Sequence, residues 1–368
     1  MVLFMSYERP NISALFAYVP GEQPQDRRVV KLNTNENPYP PSPAVMAAIR
    51  DVDAEHLRRY PPPAASTFRQ AAARVHGLGA GQVIATNGGD ELLRLAVTVY
   101  CDPAGAGAAV GVAKPSYSLY PVLAQIHGVP LVSVPLRPDF GLPPDFADRV
   151  TDAGCRLVMI VNPHAPSGRL EPLASVEALA KRLRGRAVLL VDEAYVDFAD
   201  ADVLSLLRSP DGPDNVLVLR SLSKGYSLAG LRFGYGLGHP QLIQALDKAR
   251  DSYNTDVLGQ AAAAAALGDI PSATLTWRAV IDQRTHLTQQ LGRRGFEVLP
   301  SQANFILVRP TAAADRADAA TLYQALKQRS ILVRYFNQDM LRDRLRITIG
   351  TPEQNSALLA ALDEIERE

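Results

Sequence analysis

The sequence predicts an α/β fold, with a mostly parallel sheet covered by helices in a large domain and a smaller α+β domain. Three apolar runs, at 157–161, 187–191 and 216–219, are rich in Val, Ile and Leu and alternate with segments of helix length. Continuous apolar runs of this kind are typical of parallel strands that are buried on both faces. The length of 368 residues exceeds what one hydrophobic core usually supports, so two domains are expected.

Composition and charge exclude several classes of protein. Acidic and basic residues balance at 38 each, which argues against a protein that binds nucleic acid or a membrane surface. The two cysteines, Cys101 and Cys155, form no CxxC pair, so neither a disulfide framework nor a metal site is expected. The apolar stretch 1–5 is too short for a signal sequence, and no stretch approaches the length of a membrane span. We therefore expect a cytoplasmic protein.

The first 50 residues are rich in proline and asparagine. Because prolines lack a hydrogen-bond donor and keep their neighbours extended, no regular core element is expected here. Composition alone is typical of a disordered leader, but the three asparagines at 33, 35 and 37 and the two tyrosines at 18 and 39, interleaved with prolines, would also suit a rigid arm laid across a polar cleft. We expect 1–50 to form an arm and a segment of the small domain, 51–269 the large domain, and 270–368 the small domain.

From residue 43 onward the sequence predicts helices and the first strands. Helices are expected at 43–57 and at 66–75, with Ser66 as the candidate N-cap. A strand at 83–86 ends in a glycine turn that contains Gly89 and Asp90, and helical spacing follows from 91 to 100. Such a turn presents free N–H groups and the positive end of a helix dipole to an anion. An ordinary βα turn would explain the same pattern.

Polar side chains follow the three apolar runs, at the point where each strand would end. Asn162 follows the first run, Asp192 and Tyr195 follow the second, and Lys224 follows the third. Ligands of parallel α/β sheets bind outside the carboxyl ends of the strands, so we expect these side chains to share one site. Any one of them alone is more typical of a turn or a helix cap.

The last third of the chain predicts the smaller domain. Apolar alternation of a different kind begins there, and short strands are interspersed with helices. An alanine-rich helix at 260–267 precedes this domain. The predicted helices and strands of the smaller domain are a helix after Trp277 that includes Leu291, strands at 295–300 and 304–308, a helix at 322–328, strands at 331–334 and 345–350, and a helix at 353–366.

Lys224 lies in a loop with two hydroxyls and an arginine. Most loop lysines are solvated, but an amine that is poorly solvated and near other cations has a lowered pKa and can form a Schiff base with a carbonyl. Ser221, Ser223 and Arg232 would clamp a phosphate beside this amine. This arrangement favours a Lys224 that forms a Schiff base over a solvated loop lysine.

These groups together match what pyridoxal phosphate (PLP) requires. The cofactor needs a lysine for its aldehyde and a carboxylate for its pyridine nitrogen, which Lys224 and Asp192 would supply. Its phenolic oxygen needs donors and its ring needs an aromatic neighbour. We assign Tyr195 and Asn162 to the phenolic oxygen, Tyr117 to the ring face, and Gly89, Asp90, Ser221, Ser223 and Arg232 to the phosphate.

Several motifs occur in a fixed order between about residue 14 and residue 352. They are Asn35-Glu36-Asn37-Pro38, Tyr60-Pro61, Gly88-Gly89-Asp90-Glu91, Asn162-Pro163 with Ser167-Gly168, Asp192-Glu193-Ala194-Tyr195, Ser221-Leu222-Ser223-Lys224, Ala229-Gly230-Leu231-Arg232, Ala303-Asn304-Phe305 and the segment 345–351. In these motifs the chain resembles the PLP-dependent aminotransferases of fold type I, and specifically the histidinol-phosphate aminotransferase family. Two positions depart from the family's pattern. His164-Ala165 replaces two asparagines, and Gly89 stands where Ala or Ser is frequent, which leaves fine substrate preference open.

The resemblance implies an enzyme that moves an amino group from a small-molecule donor to an oxo-acid acceptor. Lys224 would hold PLP and then act as the base, with Asp192 and Tyr195 as the other catalytic residues. It also implies a homodimer, in which Tyr60 reaches the PLP phosphate of the partner subunit. The residues that it implies for the substrate are Tyr18, Asn37, Arg334 and Arg346, with Arg346 on the donor's carboxylate.

The leading hypothesis for the reaction is conversion of histidinol phosphate and 2-oxoglutarate to imidazole-acetol phosphate and glutamate, a step of histidine biosynthesis. An aromatic amino-acid aminotransferase shares nearly all of the motifs, and in it Tyr18 and its neighbours would receive a ring. A phosphothreonine decarboxylase is a further alternative, because the motifs do not show which bond at the substrate Cα breaks. A PLP-binding regulator without turnover is disfavoured, since such proteins normally carry a DNA-binding domain and this chain is neutral.

Overall fold

The computed structural model describes residues 7–16, 20–26, 28–105, 108–311 and 318–367. The strands are β1 (Val30–Lys31), β2 (Val83–Thr86), β3 (Ala109–Lys114), β4 (Leu131–Pro135), β5 (Cys155–Val161), β6 (Val188–Asp192), β7 (Val216–Ser221), β8 (Gly234–Gly238), β9 (Phe296–Val298), β10 (Phe305–Pro310), β11 (Ile331–Leu332), β12 (Arg334–Tyr335) and β13 (Leu345–Thr348). The α-helices are α1 (Pro10–Ser13), α2 (Pro43–Arg50), α3 (Ala54–Leu57), α4 (Ser66–His76), α5 (Gly89–Tyr100), α6 (Leu119–His127), α7 (Phe146–Asp152), α8 (Leu173–Leu183), α9 (Ser205–Arg208), α10 (Pro240–Ala249), α11 (Val257–Gly268), α12 (Ile270–Arg293), α13 (Ala319–Gln328) and α14 (Pro352–Ile365). Among these described helices, none combines the length and the apolar character that a membrane crossing requires.

The central sheet has the strand order β2-β8-β7-β6-β5-β3-β4 in the described part of the chain. Pairing is parallel from β4 through β7, whereas β8 is antiparallel to both β2 and β7. The neighbouring strands β5, β6 and β7 are buried over almost their whole length, as their apolar sequences predict. The predicted α/β class with a mostly parallel sheet is therefore confirmed, and the carboxyl ends of β5, β6 and β7 lie side by side.

The antiparallel strand β8 was missing from the sequence prediction because its alternating glycines do not resemble the other strands. Those glycines allow close approach of the backbone. A side-chain carbon on Gly234 would lie 2.7 Å from backbone atoms of both Gly88 and Gly89. Gly234 is also the register partner of Ser221 at the end of β7. The strand therefore brings the glycine turn before α5 next to the loop that carries Lys224.

Helices cover both faces of the central sheet. One face packs against α2, α4, α7, α8 and α11, through side chains such as Phe68, Val176 and Ala263. The opposite face packs against α5, α6 and α10, with Leu92 and Ile243 in its core. This layering buries the sheet and leaves the carboxyl ends of the strands open for a site.

A second, smaller sheet has the order β12-β13-β10-β9 and is antiparallel throughout. It packs with α12, α13 and α14 around a core of its own, which includes Val280, Ile306 and Leu358. The arm joins this part of the molecule, because β1 pairs in parallel with β11. The described residues of the arm are thus built into the fold, as the rigid-arm alternative requires.

Three local predictions were wrong. Region 43–57 forms two helices, α2 and α3, because the Asp53 side chain accepts from the His56 N–H and starts a new helix. Ser66 is the first residue of α4, and the N-cap is Ala65, whose φ of 48° is left-handed. The run at 331–334 is divided between β11 and β12, which belong to different sheets.

Candidate active site

The carboxyl ends of β5, β6 and β7 open into a cavity of about 880 Å³. Most of the residues predicted for the site lie in its wall, although they come from widely separated parts of the chain. These residues are Gly89, Asp90, Tyr117, Asp192, Tyr195, Ser221, Ser223, Lys224, Arg232, Arg334 and Arg346. The arm closes one side of the cavity with Pro20, Gly21, Gln23, Asn33, Thr34 and Asn35.

Two predicted residues lie beside the cavity and do not line it. Asn162 is buried, and its side chain pairs with the backbone of Glu171: its oxygen accepts from the N–H at 2.8 Å and its nitrogen donates to the carbonyl at 3.4 Å. Asn37 donates to the carbonyl of Gly225, next to Lys224, at 3.3 Å. Both asparagines therefore support the loops around the cavity.

The remaining two predicted residues are Tyr60 and Tyr18. Tyr60 is 80% exposed and does not line the cavity of its own chain. Its ring stacks on that of Tyr253, with 4.4 Å between the ring centres. Tyr18 lies outside the described residues.

Lys224 is held with its amine inside the cavity. Its Nζ donates to the main-chain carbonyl of Thr34 at 3.1 Å and lies 5.9 Å from the centre of the Tyr195 ring. Burial, followed by the positive charge of Arg346, lowers the pKa of Lys224 to about 8, although Glu36 opposes this shift. This amine is consequently neutral in about a tenth of molecules at pH 7, far more than a solvated loop lysine with its ordinary pKa.

Asp192, the last residue of β6, places a carboxylate on the cavity floor. One oxygen, Oδ2, accepts from the hydroxyl of Tyr120 at 3.0 Å, and Oδ1 accepts from the N–H of Ala194 at 3.1 Å. Burial raises the pKa of Asp192 to about 6, while both hydrogen bonds act in the opposite direction. The carboxylate is therefore ionised at neutral pH. The sequence analysis missed Tyr120, although it lies in the same aromatic segment as Tyr117.

Tyr195 is joined to the arm. Its hydroxyl accepts from the amide nitrogen of Asn35 at 3.1 Å. Asn35 has a left-handed φ of 57° and is fixed by Thr348, whose hydroxyl accepts its N–H at 3.0 Å, and by Asn304, whose amide donates to its carbonyl at 2.9 Å. Sequence reasoning did not single out Asn35 as a site residue, although it begins the Asn-Glu-Asn-Pro motif.

The start of α5 and the loop after Lys224 meet at one corner of the cavity, where Arg232 joins the two. Arg232 donates to the Ser223 hydroxyl at 3.3 Å, and its guanidinium nitrogen lies 3.6 Å from a carboxylate oxygen of Asp90. Gly88 precedes the helix with a φ of 79°, and a side-chain carbon there would lie 2.8 Å from the Arg232 guanidinium. A φ of this sign favours glycine, and a glycine leaves this corner open beside Gly89 and Asp90, which line the cavity.

These residues fit PLP. The α5 start, Arg232 and the serine hydroxyls suit a phosphate, whereas the buried carboxylate of Asp192 suits a protonated pyridine nitrogen. The amine of Lys224 suits an aldehyde, and the room that Gly88 preserves would be lost to any larger residue. Within the described ranges, no cluster of His, Cys, Asp and Glu could hold a metal ion.

Two arginines occupy the opposite wall. Arg334 and Arg346 are register partners on the antiparallel strands β12 and β13. Their guanidinium groups both lie over the ring of Phe336, at 5.3 and 5.5 Å. Arg346 also donates to the main-chain carbonyl of Asn33 at 2.9 Å. The pair brings two guanidinium groups to the same cavity as Lys224, a set that suits an anionic ligand.

The departure at His164 has a clear structural role. Its Nε2 lies 3.0 Å from the carbonyl oxygen of Pro115, and its Nδ1 lies 2.7 Å from the hydroxyl of Ser167. Burial lowers the pKa of His164 to about 4, so the ring is neutral. Because a carbonyl only accepts, Nε2 carries the hydrogen and Nδ1 accepts from Ser167. The ring thus ties the loop that follows β5 to the loop that carries Tyr117.

Comparison with known proteins agrees with this geometry. Residues 27–362 match the family model for aminotransferase class I and II. The chain is 42% identical over 363 residues to histidinol-phosphate aminotransferase 1 of Trichormus variabilis, which covers 98% of this chain and 99% of that protein. It is 43% identical over 361 residues to histidinol-phosphate aminotransferase of Pseudomonas putida, with coverage of 96% and 98%.

A solved structure is similar over the same length. The crystal structure of histidinol-phosphate aminotransferase from Sinorhizobium meliloti, in complex with pyridoxal-5'-phosphate, covers 100% of this chain and 99% of its own, at a TM-score of 0.88 and 29% identity. Fold, cavity and sequence thus agree. The chain belongs to the PLP-dependent aminotransferases of class I and II and, within them, to the histidinol-phosphate aminotransferase family.

Proposed function

We propose that this chain transfers the amino group of histidinol phosphate to 2-oxoglutarate, which gives imidazole-acetol phosphate and glutamate. The observation that carries the proposal is the pair Arg334 and Arg346 in the same cavity as Lys224. Histidinol phosphate brings a phosphate and glutamate brings two carboxylates. A guanidinium pair binds either anion through two parallel hydrogen bonds, so one cavity serves both half-reactions.

The cofactor and the protein have separate tasks. Bound PLP supplies the electron-accepting ring that stabilises negative charge at the substrate Cα. Lys224 Nζ would act as the base that takes the proton from the substrate Cα and would then give it up again as an acid, and the first of these roles requires the neutral amine. The lowered pKa of Lys224, about 8, supports this role, because a solvated lysine would remain protonated.

Asp192 and the phosphate corner hold the cofactor. The ionised carboxylate of Asp192 keeps a proton on the pyridine nitrogen, and Tyr195 donates toward the phenolic oxygen. Ser221, Ser223 and Arg232 bind the phosphate together with the N–H groups at Gly89 and Asp90. Tyr117 covers the ring face. The positions of these side chains in the cavity wall support the assignment.

We further propose a homodimer in which Tyr60 completes the partner's site. Tyr60 is exposed and stacked on Tyr253, and the neighbouring Leu57 is also exposed. Apolar side chains exposed together are typical of an interface.

The same proposal includes an arm at 1–50, a large domain at 51–269 and a small domain at 270–368. The two free, buried cysteines support a reducing compartment, the cytoplasm.

Steady-state kinetics with histidinol phosphate, phenylalanine and phosphothreonine, each with 2-oxoglutarate, test the reaction. We expect the highest kcat/KM with histidinol phosphate. A higher value with phenylalanine would replace the proposal with an aromatic amino-acid aminotransferase. Release of carbon dioxide from phosphothreonine would replace it with a decarboxylase.

A further inference from the structure

Tyr120 lies directly beneath the cavity. It is the second residue of α6, three positions after Tyr117, which lies in the loop before the helix, and its side chain is completely buried. Its hydroxyl donates to Asp192 Oδ2 at 3.0 Å, and its ring meets that of Tyr117 edge-on, with 5.6 Å between the ring centres. Tyr120 itself does not line the cavity, so any effect on the reaction must pass through these two residues.

We propose that Tyr120 is a positioning residue, which holds the Asp192 carboxylate in the orientation and the ionised state that the PLP pyridine nitrogen requires. The inference rests on the role proposed for Asp192. The two oxygens of Asp192 are anchored by different elements, Oδ1 by the Ala194 N–H and Oδ2 by the Tyr120 hydroxyl. Two donors fix the plane of a carboxylate, whereas one leaves it free to rotate. An oxygen has two lone pairs, so each still has one for another donor.

The surroundings of Asp192 make the Tyr120 hydroxyl important for keeping the Asp192 carboxylate ionised. Burial alone raises the pKa of Asp192, Asp90 raises it further, and Lys224 lowers it. The strongest influence in the lowering direction is the Tyr120 hydroxyl, followed by the Ala194 N–H. Burial and the charge of Asp192 raise the pKa of Tyr120 itself, with smaller contributions from Tyr117 and Tyr195. Tyr120 therefore stays a donor at every working pH.

The test is Tyr120→Phe, which keeps the ring and its contact with Tyr117 but removes the hydroxyl. PLP binding to the apoprotein is measured by fluorescence as a function of pH, separately from turnover. A hydrogen bond to a charged acceptor is worth roughly ten- to a hundredfold in an equilibrium constant. We expect the acid limb of PLP binding to move up by about one pH unit or more, and kcat to fall about tenfold or more with little change in KM.

The matched control is Tyr100→Phe. The Tyr100 hydroxyl donates to the carbonyl of Leu242 at 3.1 Å, away from the cavity, so its removal should leave the pH profile and kcat unchanged. If Tyr120→Phe folds poorly, a fluorinated tyrosine placed at position 120 retains the shape and donates more strongly. In that protein the acid limb should move to lower pH, opposite to the shift expected for Phe.

A double variant separates this inference from the proposed function. If Tyr120 acts through the charge of Asp192, adding Tyr120→Phe to Asp192→Asn should cause little further loss. The inference would be overturned if the losses of kcat in the double variant were additive. It would also be overturned if the acid limb of PLP binding were unchanged both in Tyr120→Phe and in the protein with fluorinated tyrosine. Either result would leave the role of Asp192 intact. If Asp192→Asn alone leaves kcat and PLP binding unchanged, the proposed role of Asp192 fails, and this inference fails with it.

Discussion

Lys224 Nζ lies 3.1 Å from the carbonyl oxygen of Thr34, across 190 positions of the sequence. The preceding carbonyl, that of Asn33, accepts from Arg346 at 2.9 Å. Two successive carbonyls of the arm therefore hold the Lys224 amine, to which we assign the role of base, and the Arg346 guanidinium, to which we assign the binding of an anion. A segment whose composition is typical of a disordered leader thus forms part of the site.

The first prediction concerns the pH at which Lys224 captures PLP. Only the neutral amine attacks an aldehyde, and the pKa of Lys224 is lowered to about 8. The rate of covalent PLP capture by the apoprotein should therefore rise with pH and level off above about pH 8. A solvated lysine, which has a higher pKa, would level off only at a higher pH. Stopped-flow absorbance measures the rate.

Two lysine variants serve as controls for that measurement. Lys224→Ala should show no borohydride-fixed PLP by mass spectrometry and no turnover. Lys114→Ala, which changes an exposed lysine at the end of β3, should match the wild type. Near-normal turnover of Lys224→Ala would refute the central assignment.

The second prediction concerns Asp192→Asn. The substitution should cut kcat by several orders of magnitude, because the pyridine nitrogen loses the charge that keeps it protonated. The apoprotein should remain folded and at least as resistant to heat at about pH 8. Burial raises the pKa of Asp192 to about 6, above its unfolded value, so the ionised side chain destabilises the fold at that pH. A change in PLP affinity without loss of kcat would contradict the assigned role.

The third prediction tests the dimer through hybrids. Lys224→Ala and Tyr60→Ala subunits are each expected to be inactive or weakly active alone. Mixed dimers should recover part of the activity, because one of their two sites has both its own Lys224 and the intact tyrosine of the other subunit. Native mass spectrometry shows whether the hybrids form. If the hybrids form but regain no activity, Tyr60 acts in the active site of its own subunit.

The fourth prediction concerns Arg334. A charge-assisted pair lost from such a site typically costs about 2–5 kcal/mol in transition-state stabilisation. Arg334→Ala should therefore reduce kcat/KM for histidinol phosphate much more than for phenylalanine, which brings no distal anion. Arg342→Ala, which removes an exposed arginine that pairs with Asp339, is the control. Equal losses for the two substrates would favour the aromatic amino-acid alternative.

The fifth prediction separates the two hydrogen bonds of His164. The amide of Gln reaches the position of Nε2 and can donate to Pro115, whereas the amide of Asn reaches that of Nδ1 and can accept from Ser167. Because the Pro115 bond anchors the loop of Tyr117, His164→Gln should retain more PLP affinity than His164→Asn. Nitrogen NMR of the wild type should show the hydrogen on Nε2, with no protonation until about pH 4. Protonation near pH 6.5, the ordinary value, would contradict the buried, neutral assignment.

Much of this site follows from local sequence, and the rest depends on distant contacts. The apolar runs before Asp192 and Lys224 locate the strand ends, and the rule for parallel sheets then brings those residues together. Asn35 and Tyr120 were missed because their partners, Thr348 and Asp192, lie 313 and 72 positions away. The orientation of Asn162 was missed for another reason: its partner, the backbone of Glu171, is only 9 positions away, but the path of the loop between them does not follow from the sequence pattern.

The contact between Asn35 and Thr348 also has a consequence for synthesis on the ribosome. The wall that carries Asn35 and Thr34 cannot be fixed until the hydroxyl of Thr348 is available to it. The strands of the central sheet, β2 to β8, can pair in a nascent chain well before Thr348 is synthesised, because the last of them ends at Gly238. Contacts of such long sequence separation form late. The central sheet can therefore form early during synthesis, whereas the wall of the cavity that carries Thr34 and Asn35 is assembled among the last steps.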